Sequence, residues 1–430
     1  MKNPKIVPIA LSVIIVILAG TVVALMLFMK NQPIQTRGVP AIVEVAAMEP
    51  DSAVWGVNFP NQYTTFLQTE TNNARTPFGG SEPFQRLDVY PNLRTLFAGM
   101  AFSKDYKEDR GHRWSLIDVR ETERIGETTP GTCYSCKTAN NPMLWAEMGA
   151  AEYARTPFKE LGAHIDQPVG CANCHEVGTM RLVVTNPALE VALEAQGKDW
   201  TTFTRQEMRS VVCANCHVEY YFAGDGKLLV FPWANGTSVE AIEKFYDDLG
   251  FADWTHAESG ASMIKMQHPE YELYSAGSTH FTAGVACADC HMPYTRDGAV
   301  KFSTHNAQSP LLNPAASCGA CHTDVNRMVG RVTLIQNQVA TTMVAAEEAI
   351  IAAIQAIAAA AADPNVDIGL LEESRQLHRA AQLRWDFISA ENSMGFHNPQ
   401  ETLRILAAST DMARQAQLKA VLALKPQAGP

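Results

Sequence analysis

Charged residues are scarce in this sequence, and basic residues are nowhere clustered. Only 18% of the 430 residues are charged, and 34 Lys and Arg stand against 45 Asp and Glu, for a formal net charge of −11. Binding to a nucleic-acid backbone depends on clustered basic side chains, so this composition argues against a nucleic-acid partner. The hydrophobic content of 47% argues against a disordered chain.

The N-terminal stretch lacks both charge and a cleavage signal. No charged residue lies between Lys5 and Lys30, and no A-x-A site follows the apolar run. The run is long enough to span a bilayer, whereas the apolar part of a cleaved signal peptide has about 7–15 residues. We predict a membrane anchor or uncleaved signal at 1–30 and a linker at 31–45, with a removed signal peptide as the alternative. Both place the rest of the chain in the periplasm.

None of the ten cysteines stands alone. They form five C-x-x-C pairs, which are Cys133 and Cys136, Cys171 and Cys174, Cys213 and Cys216, Cys287 and Cys290, and Cys318 and Cys321. An even number of cysteines in an exported protein first suggests disulfides. However, four pairs are followed directly by a histidine, and C-x-x-C-H is the attachment signature of c-type haem. These histidines are His175, His217, His291 and His322.

In the first pair a lysine takes the place of the histidine, in the string Cys133-Tyr134-Ser135-Cys136-Lys137. One interpretation is a degenerate motif with a solvated lysine and a disulfide. The other is that Lys137, made neutral by the metal, binds a haem iron through its amine. The axial ligand is a main determinant of haem chemistry. We therefore favour the second interpretation and predict that this haem is the catalytic one.

The remaining histidines can supply second ligands to the other irons. Of 12 histidines, four belong to the motifs and eight do not. A low-spin electron-transfer haem needs a sixth ligand, whereas a catalytic iron keeps that position open. The candidates for this ligand are His112, His164, His256, His268, His280, His305, His378 and His397.

The C-terminal part of the sequence predicts long helices. Residues 326–362 are rich in Ala, Ile and Val, and a second helical stretch follows at 368–390. Asn398 and Pro399 are typical of the start of a third helix. We predict a mainly α fold, a multihaem cytochrome c with a haem-packed core at 46–325 and long C-terminal helices at 326–430. An Ala-rich helical face also permits contact with a second copy.

One C-x-x-C-K unit followed by four C-x-x-C-H units resembles the pentahaem cytochrome c nitrite reductases, which form ammonium. The resemblance extends from about Gly111 to His397. Three local strings are also similar to that family, namely Arg120-Glu121-Thr122-Glu123-Arg124, Val218-Glu219-Tyr220-Tyr221-Phe222 and Lys265-Met266-Gln267-His268-Pro269-Glu270-Tyr271. It implies the six-electron reduction of nitrite to ammonium at a lysine-ligated haem fed by four bis-histidine haems.

The resemblance also implies a role for particular residues. Arg124, Tyr220 and His268 would surround the open face of the Lys137 haem. The interval from Arg124 to Lys137 is shorter than in many family members, which makes Arg120 and Arg113 the alternatives. The implied second ligands are His305 for the second haem, His112 for the third, His397 for the fourth and His280 for the fifth. The implied calcium ligands are Glu219, Tyr220, Lys265 and Gln267.

The resemblance further implies partners, which are nitrite, a second copy of the chain and a membrane-bound tetrahaem quinol dehydrogenase. Two other functions stay open at this point. In a purely electron-transferring cytochrome, a sixth ligand closes every iron and Lys137 is incidental. In a related multihaem enzyme, the main substrate is hydroxylamine or sulfite.

Overall fold

The architecture comes from a computed structural model that describes residues 18, 20, 21, 41–108 and 110–424. Contacts divide the chain into two units, 1–42 and 43–430, and all elements named below belong to the second. The anchor predicted at 1–30 lies outside the described residues, apart from three isolated positions. Most of the linker predicted at 31–45 also lies outside them.

Helices dominate the described residues. The α-helices are α1 Ser52–Asn58, α2 Pro60–Thr71, α3 Arg86–Val89, α4 Leu93–Leu96, α5 Ser115–Glu121, α6 Asn141–Met148, α7 Ala150–Arg155, α8 Phe158–Leu161, α9 Pro187–Ala195, α10 Arg205–Val211, α11 Val239–Leu249, α12 Glu270–Ser275, α13 Thr279–Thr282, α14 Cys287–His291, α15 Pro314–Ser317, α16 Val325–Ala361, α17 Ile368–Ala390 and α18 Pro399–Ala423. The prediction of a mainly α fold is confirmed.

Short strands and 3-10 turns connect the helices. The strands are β1 Arg75–Thr76, β2 Gly79–Gly80, β3 Phe84–Gln85, β4 Lys107–Glu108, β5 Tyr221–Ala223, β6 Leu228–Val230, β7 Trp254–Thr255, β8 Ser262–Met263, β9 Tyr294–Asp297 and β10 Val300–Ser303. Each odd-numbered strand pairs antiparallel with the next strand. The 3-10 turns are Ala101–Ser103, His112–Trp114, Gly131–Tyr134, Gly162–His164, Cys171–Asn173, Trp200–Thr202, Val212–Asn215, Pro310–Leu312 and Cys318–Ala320.

The three predicted C-terminal helices are present as α16, α17 and α18, within a residue or two of the expected bounds. Side-chain caps fix their starts. Asp324 accepts from the Arg327 amide at 2.9 Å, and Asn398 accepts from the Glu401 amide at 3.4 Å. These caps satisfy amides that have no partner in the first turn of a helix. Local sequence therefore determines where the long helices begin.

Helix α16 buries one of its faces. Its buried residues recur every three or four positions from Val332 to Ala360, and this face packs against α17 and α18. Among the described residues, α16 is the helix that is long and apolar enough to cross a membrane by length and composition alone. The packed face is typical of a core helix. The opposite face leaves Leu334 and Val344 exposed.

The largest apolar core lies where the long helices meet the segment from Leu87 to Tyr106. The region that carries the C-x-x-C pairs has smaller, separate apolar clusters. Apolar macrocycles attached to this region would supply the burial that its side chains do not. This division agrees with the predicted haem-packed core.

His256 and His378 form a buried pair away from the C-x-x-C motifs. Their ring centres are 5.3 Å apart, and each is at most 1% exposed. His256 Nε2 contacts the Thr95 carbonyl at 2.9 Å, and His378 lies 3.1 Å from the Ser259 hydroxyl and 3.0 Å from the Gln382 side chain. The pair thus joins α17 to the loop that carries His256 and Ser259, and through Thr95 to α4. His164, the other histidine left without an expected role, is exposed.

We predict that the His378 pair makes the fold sensitive to acid. Burial, and then the nearby His256, lower the pKa of His378 to about 3, whereas the unfolded chain has a histidine pKa of about 6.5. Between these values the unfolded state binds a proton that the folded state excludes. The stability that neutral His378 contributes is therefore present above about pH 6.5 and is lost as the pH falls toward about 3.

The measurement is the free energy of unfolding by urea, from about pH 7 down to about pH 4. The wild-type holoprotein should lose stability more steeply over this range than His378→Gln, which has no titrating ring. Parallel curves for the two proteins would contradict the prediction.

Candidate active site

Each C-x-x-C pair lies on a tight helical turn. In three motifs the amide of the following histidine donates to the carbonyl of the first cysteine, as from His175 to Cys171 at 3.0 Å. The fourth is the short helix α14. This turn brings the two thiols and the ring of the histidine that follows them close together. None of the ten cysteines forms a disulfide, so the disulfide alternative is not supported.

Each of the four motif histidines has a second histidine ring near it. A ring nitrogen binds a transition metal at about 2 Å, so two rings on opposite sides of one metal have centres about 6 Å apart. This spacing is met by His175 with His305 at 6.2 Å, His291 with His397 at 6.2 Å and His322 with His280 at 6.4 Å, and also by His217 with His268 at 6.4 Å. The residues therefore fit iron held between two imidazoles.

The remaining motif histidine, His217, has two histidines near it. Its ring centre is 6.4 Å from that of His268. Burial, followed by the charges of His217 and His305, lowers the pKa of His112 to about 4. Gly111 lets the backbone before His112 pass close to Thr69, because its φ is +103° and a Cβ on it would collide with the Thr69 carbonyl. The structure thus brings both His112 and His268 close to the third motif.

Hydrogen bonds outside the pairs orient several of these rings. His175 Nδ1 lies 3.0 Å from the Met180 carbonyl, and His291 Nδ1 lies 2.9 Å from the Gln308 carbonyl. His397 Nδ1 instead lies 3.0 Å from the buried carboxylate of Glu391. A partner on Nδ1 leaves Nε2 available for the metal, which is the usual arrangement of ligating histidine.

The motifs are arranged in a definite order in space. Thiols of different motifs approach one another in four places, which are Cys136 with Cys216, Cys213 with Cys287, Cys290 with Cys318, and Cys174 with Cys213. The third motif therefore lies next to the first, second and fourth, and the fifth lies next to the fourth. Such a chain of neighbours suits the passage of electrons to the first motif.

Helix α5 holds the lysine motif from one side. The Ser115 hydroxyl donates to the Lys137 carbonyl at 2.8 Å, and one turn later the Asp118 carboxylate accepts from Lys137 Nζ at 2.8 Å. Burial lowers the pKa of Lys137, but Asp118 outweighs it and the net direction is upward. An amine bound to a metal must be neutral and keeps N–H groups that can donate to a carboxylate. Lys137 and Asp118 are therefore suitable as an axial ligand and its hydrogen-bond acceptor.

Of the three candidate arginines, Arg124 has the free guanidinium. Arg120 donates to the Ile165 carbonyl at 2.7 Å and to the Gly162 carbonyl at 3.2 Å, and Arg113 pairs with Glu70 at 3.0 Å. The guanidinium of Arg124 makes one hydrogen bond among the described residues, to the Asp105 carbonyl at 3.1 Å. The positive charge of Arg124 acts to lower the pKa of Cys133, Lys137 and Tyr220, so it lies near all three.

Tyr220 and His268 reach the same place from two other segments. The pKa of Tyr220 is raised well above its ordinary value, first by burial and then by the thiols of the lysine motif, while Arg124 lowers it. The charge of Lys137 contributes to the lowered pKa of His268. His268 Nδ1 lies 3.9 Å from the Glu270 carboxylate. Electrostatic interactions therefore link Arg124, Tyr220 and His268 to the lysine motif, and His268 also lies next to His217 of the third motif.

The predicted calcium ligands also converge. Glu219 is fully buried, and its carboxylate accepts from the Gln267 amide at 2.5 Å and from the Tyr246 hydroxyl at 2.8 Å. The Gln267 side chain donates to the Lys265 carbonyl at 3.1 Å. Burial raises the pKa of Glu219, and the neighbouring Glu272 and Asp253 raise it further. A carboxylate, a carbonyl and an amide group without a neutralising cation fit a hard dication such as calcium.

A buried ion pair fixes the segment that contains these ligands. Lys265 Nζ lies 3.0 Å from both carboxylate oxygens of Asp386 on α17, and both side chains are 1% exposed. Asp386 also accepts from the Met266 amide at 2.8 Å. Since separating such a pair would leave a buried charge, the segment from Lys265 to His268 is held in one position.

Two acidic residues of the site were not among those predicted from the sequence. Asp118 could have been found, because it lies one helical turn after Ser115 on the helix that precedes Arg124. Asp105 has no local signal, since the side chains that it binds are 17 and 20 residues away along the chain.

Five cysteine pairs on tight turns, four followed by histidine and one by lysine, define a multihaem c-type cytochrome. The chain belongs to the cytochrome c552 family, whose sequence profile matches residues 51–429. This confirms the family suggested by the sequence, the oxidoreductase class and haem c as a cofactor.

Known relatives cover most of the chain. It is 40% identical over 383 residues to cytochrome c-552 of Bacteroides fragilis, which is 87% of this chain and 78% of that protein. It is 35% identical over 426 residues to cytochrome c-552 of Aliarcobacter butzleri, with 94% and 83% covered. Among solved structures, cytochrome c nitrite reductase from Desulfovibrio desulfuricans matches with a TM-score of 0.82, 33% identity and 87% of each chain covered. Its catalytic subunit contains two calcium sites.

We predict that His305→Ala opens a second iron to small ligands. His305 faces His175 at metal-spanning distance, so its loss removes one axial ligand and leaves the thiol attachments intact. Cyanide titration of the variant, followed by EPR, should show two ligand-binding haems where the wild type shows one. His164→Ala is the control and should match the wild type. Unchanged cyanide binding in His305→Ala would refute the assignment of His305.

Proposed function

We propose that the protein reduces nitrite to ammonium at a haem bound by Lys137, with four bis-histidine haems supplying electrons. The observation that carries this proposal is the convergence of Arg124, Tyr220 and His268 on the one motif that has lysine in place of histidine. A positive charge and two proton-donating groups at a haem suit an anion whose N–O bonds must break. The family assignment and the related nitrite reductase structure support the same reaction.

The reaction consumes six electrons and eight protons, and converts one nitrite to one ammonium and two waters. When bound, the haem of the lysine motif supplies an iron for the nitrite nitrogen and the route by which electrons enter. Haems held by the neighbouring motifs would store and pass those electrons, and the third motif lies next to three others. Haems attached to these neighbouring motifs would permit successive reductions without release of a partly reduced product.

The side chains of this chain bind the anion and move protons. The Arg124 guanidinium has N–H groups left to donate to nitrite oxygens, and it is held in place before the substrate arrives. His268 can deliver protons as the oxygens leave, and the Tyr220 hydroxyl is a second donor. Asp118 accepts from the Lys137 amine, which would bind the haem iron.

Calcium, location and assembly belong to the same proposal. Calcium would take the Glu219 carboxylate, the Tyr220 and Lys265 carbonyls and the Gln267 side chain, and would hold the segments of Tyr220 and His268 together. The protein would act in the periplasm, held to the membrane by its N-terminal apolar run, and take electrons from a membrane-bound tetrahaem quinol dehydrogenase. The exposed apolar face of α16 supports a homodimer through the long helices.

The proposed function is tested on the purified holoprotein with nitrite, a chemically reduced dye as electron donor, and an assay for ammonium. We expect one ammonium for each nitrite consumed and one high-spin haem that binds cyanide. If every iron is six-coordinate and no ammonium forms, the protein is an electron-transfer cytochrome instead. Faster turnover of hydroxylamine or sulfite than of nitrite would also contradict the proposal.

We predict that Arg124→Ala and His268→Asn each lower nitrite turnover by about 10²-fold or more, the usual effect of removing a charge-stabilising or proton-donating group. Haem content, measured by absorbance and intact mass, should not change, because neither residue attaches haem. Arg113→Ala is the matched control, since Arg113 pairs with Glu70 away from the motif. Near-normal turnover in both variants would disprove the assignment.

We predict that Glu219→Gln weakens calcium binding, because it removes the charge of the one carboxylate among the predicted ligands. Elemental analysis of the dialysed protein should show less calcium than in the wild type, and nitrite turnover should fall with it. The exposed Glu121→Gln serves as the control. Full calcium occupancy in Glu219→Gln would exclude this site.

A further inference from the structure

Asp105 is a buried acidic residue beside the catalytic arginine segment, and it is used by no step proposed above. It is 6% exposed, and its side chain accepts four hydrogen bonds. No basic side chain is among the donors. A buried carboxylate with this many donors remains ionised, and the hydrogen bonds outweigh burial to lower the pKa of Asp105 to about 2.

One oxygen of Asp105 holds the backbone that leads into Arg124. Oδ2 accepts from the Thr122 hydroxyl at 2.7 Å and from the Glu123 amide at 2.8 Å. The Thr122 hydroxyl oxygen lies 3.3 Å from the Arg124 amide. The carbonyl of Asp105 itself accepts from Arg124 Nη1 at 3.1 Å. Asp105 therefore holds this segment at its backbone and at its guanidinium.

The other oxygen of Asp105 is tied to a separate part of the fold. Oδ1 accepts from Gln85 Nε2 at 2.8 Å and from the Lys107 amide at 3.1 Å. Gln85 lies on β3, and its side-chain oxygen accepts from the Tyr106 amide at 2.9 Å. The position of Asp105 is therefore set by β3 and β4, and it is independent of the segment that it holds.

Two aromatic rings limit the remaining freedom of the guanidinium. The central carbon of Arg124 lies 4.5 Å from the centre of the Phe102 ring and 5.9 Å from that of Tyr106. A guanidinium packed against an aromatic ring is restricted in its orientation. The N–H groups at its edge can still donate to an anion. With one hydrogen bond and this ring contact, the direction of the free N–H groups is determined.

We propose that Asp105 is a positioning residue for Arg124, and that it gives the site its preference for anionic nitrite over neutral hydroxylamine. This inference rests on the proposed function. A well-aimed guanidinium stabilises a negatively charged substrate much more than a neutral one, because the interaction is between charges. A misdirected arginine should therefore affect nitrite selectively, whereas general damage to the fold affects both substrates.

The test compares nitrite and hydroxylamine kcat/KM in Asp105→Asn. The asparagine amide has one accepting oxygen and one NH2 group. The NH2 group cannot accept the N–H hydrogen bonds that the replaced Asp105 oxygen accepted, so those bonds are lost. We expect the ratio of nitrite to hydroxylamine kcat/KM to fall by about tenfold to 10²-fold, the effect of a misplaced catalytic group. Haem content and the midpoint potentials of the haems should stay as in the wild type.

Two further variants keep the test decisive. Thr122→Val removes only the hydroxyl between Asp105 and the arginine segment, so it should lower the ratio in the same direction even if Asp105→Asn does not fold. Asp367→Asn is the matched control, because the Asp367 side chain accepts from the Gly369 and Leu370 amides at the start of α17, outside the C-x-x-C motifs. It should leave the ratio unchanged.

Arg124→Ala separates failure of this inference from failure of the proposed function. If Arg124→Ala lowers the ratio while Asp105→Asn and Thr122→Val do not, or lower both substrates equally, Asp105 has no positioning role. If Arg124→Ala itself leaves the ratio unchanged, the role of Arg124 in nitrite recognition is wrong, and the inference fails with it.

Discussion

The helical turn at each C-x-x-C pair is the constraint on which the rest of the structure depends. It places two thiols and a nitrogen ligand together within five residues, so each haem is tied to the backbone at a position set locally. The chain around the turns is correspondingly poor in large apolar clusters. Everything else about a haem, namely its second ligand and its neighbours, must be supplied by residues distant in sequence.

A single helix, α5, connects Lys137 with the segment that carries Arg124. Ser115 and Asp118 on α5 hold Lys137, and the segment that follows the helix carries Arg124. The proposed iron ligand and the charge proposed to face nitrite are therefore both held by α5 or by the segment that directly follows it. Asp105 ties the Glu123 amide, next to Arg124, to Gln85 on β3. The backbone therefore sets the distance between Lys137 and Arg124.

Buried carboxylates are balanced in three different ways around this site. Asp386 pairs with Lys265 as an ion pair. Asp105 is satisfied by neutral donors, which keep it charged without a cation. Glu219 has negative neighbours, and burial raises its pKa. Only the third case calls for an external cation, which is why the proposed calcium site lies there and why the other two can act as fixed anchors.

The sequence by itself determined the haem attachment, the unusual Lys137 and the three C-terminal helices. Each of these depends on residues within a few positions of one another, such as C-x-x-C-K or the cap at Asn398. Tertiary structure alone decided which histidines face each other, which arginine is free and that Asp105 holds it. Those outcomes depend on contacts between segments far apart in the chain, for which local spacing carries no signal.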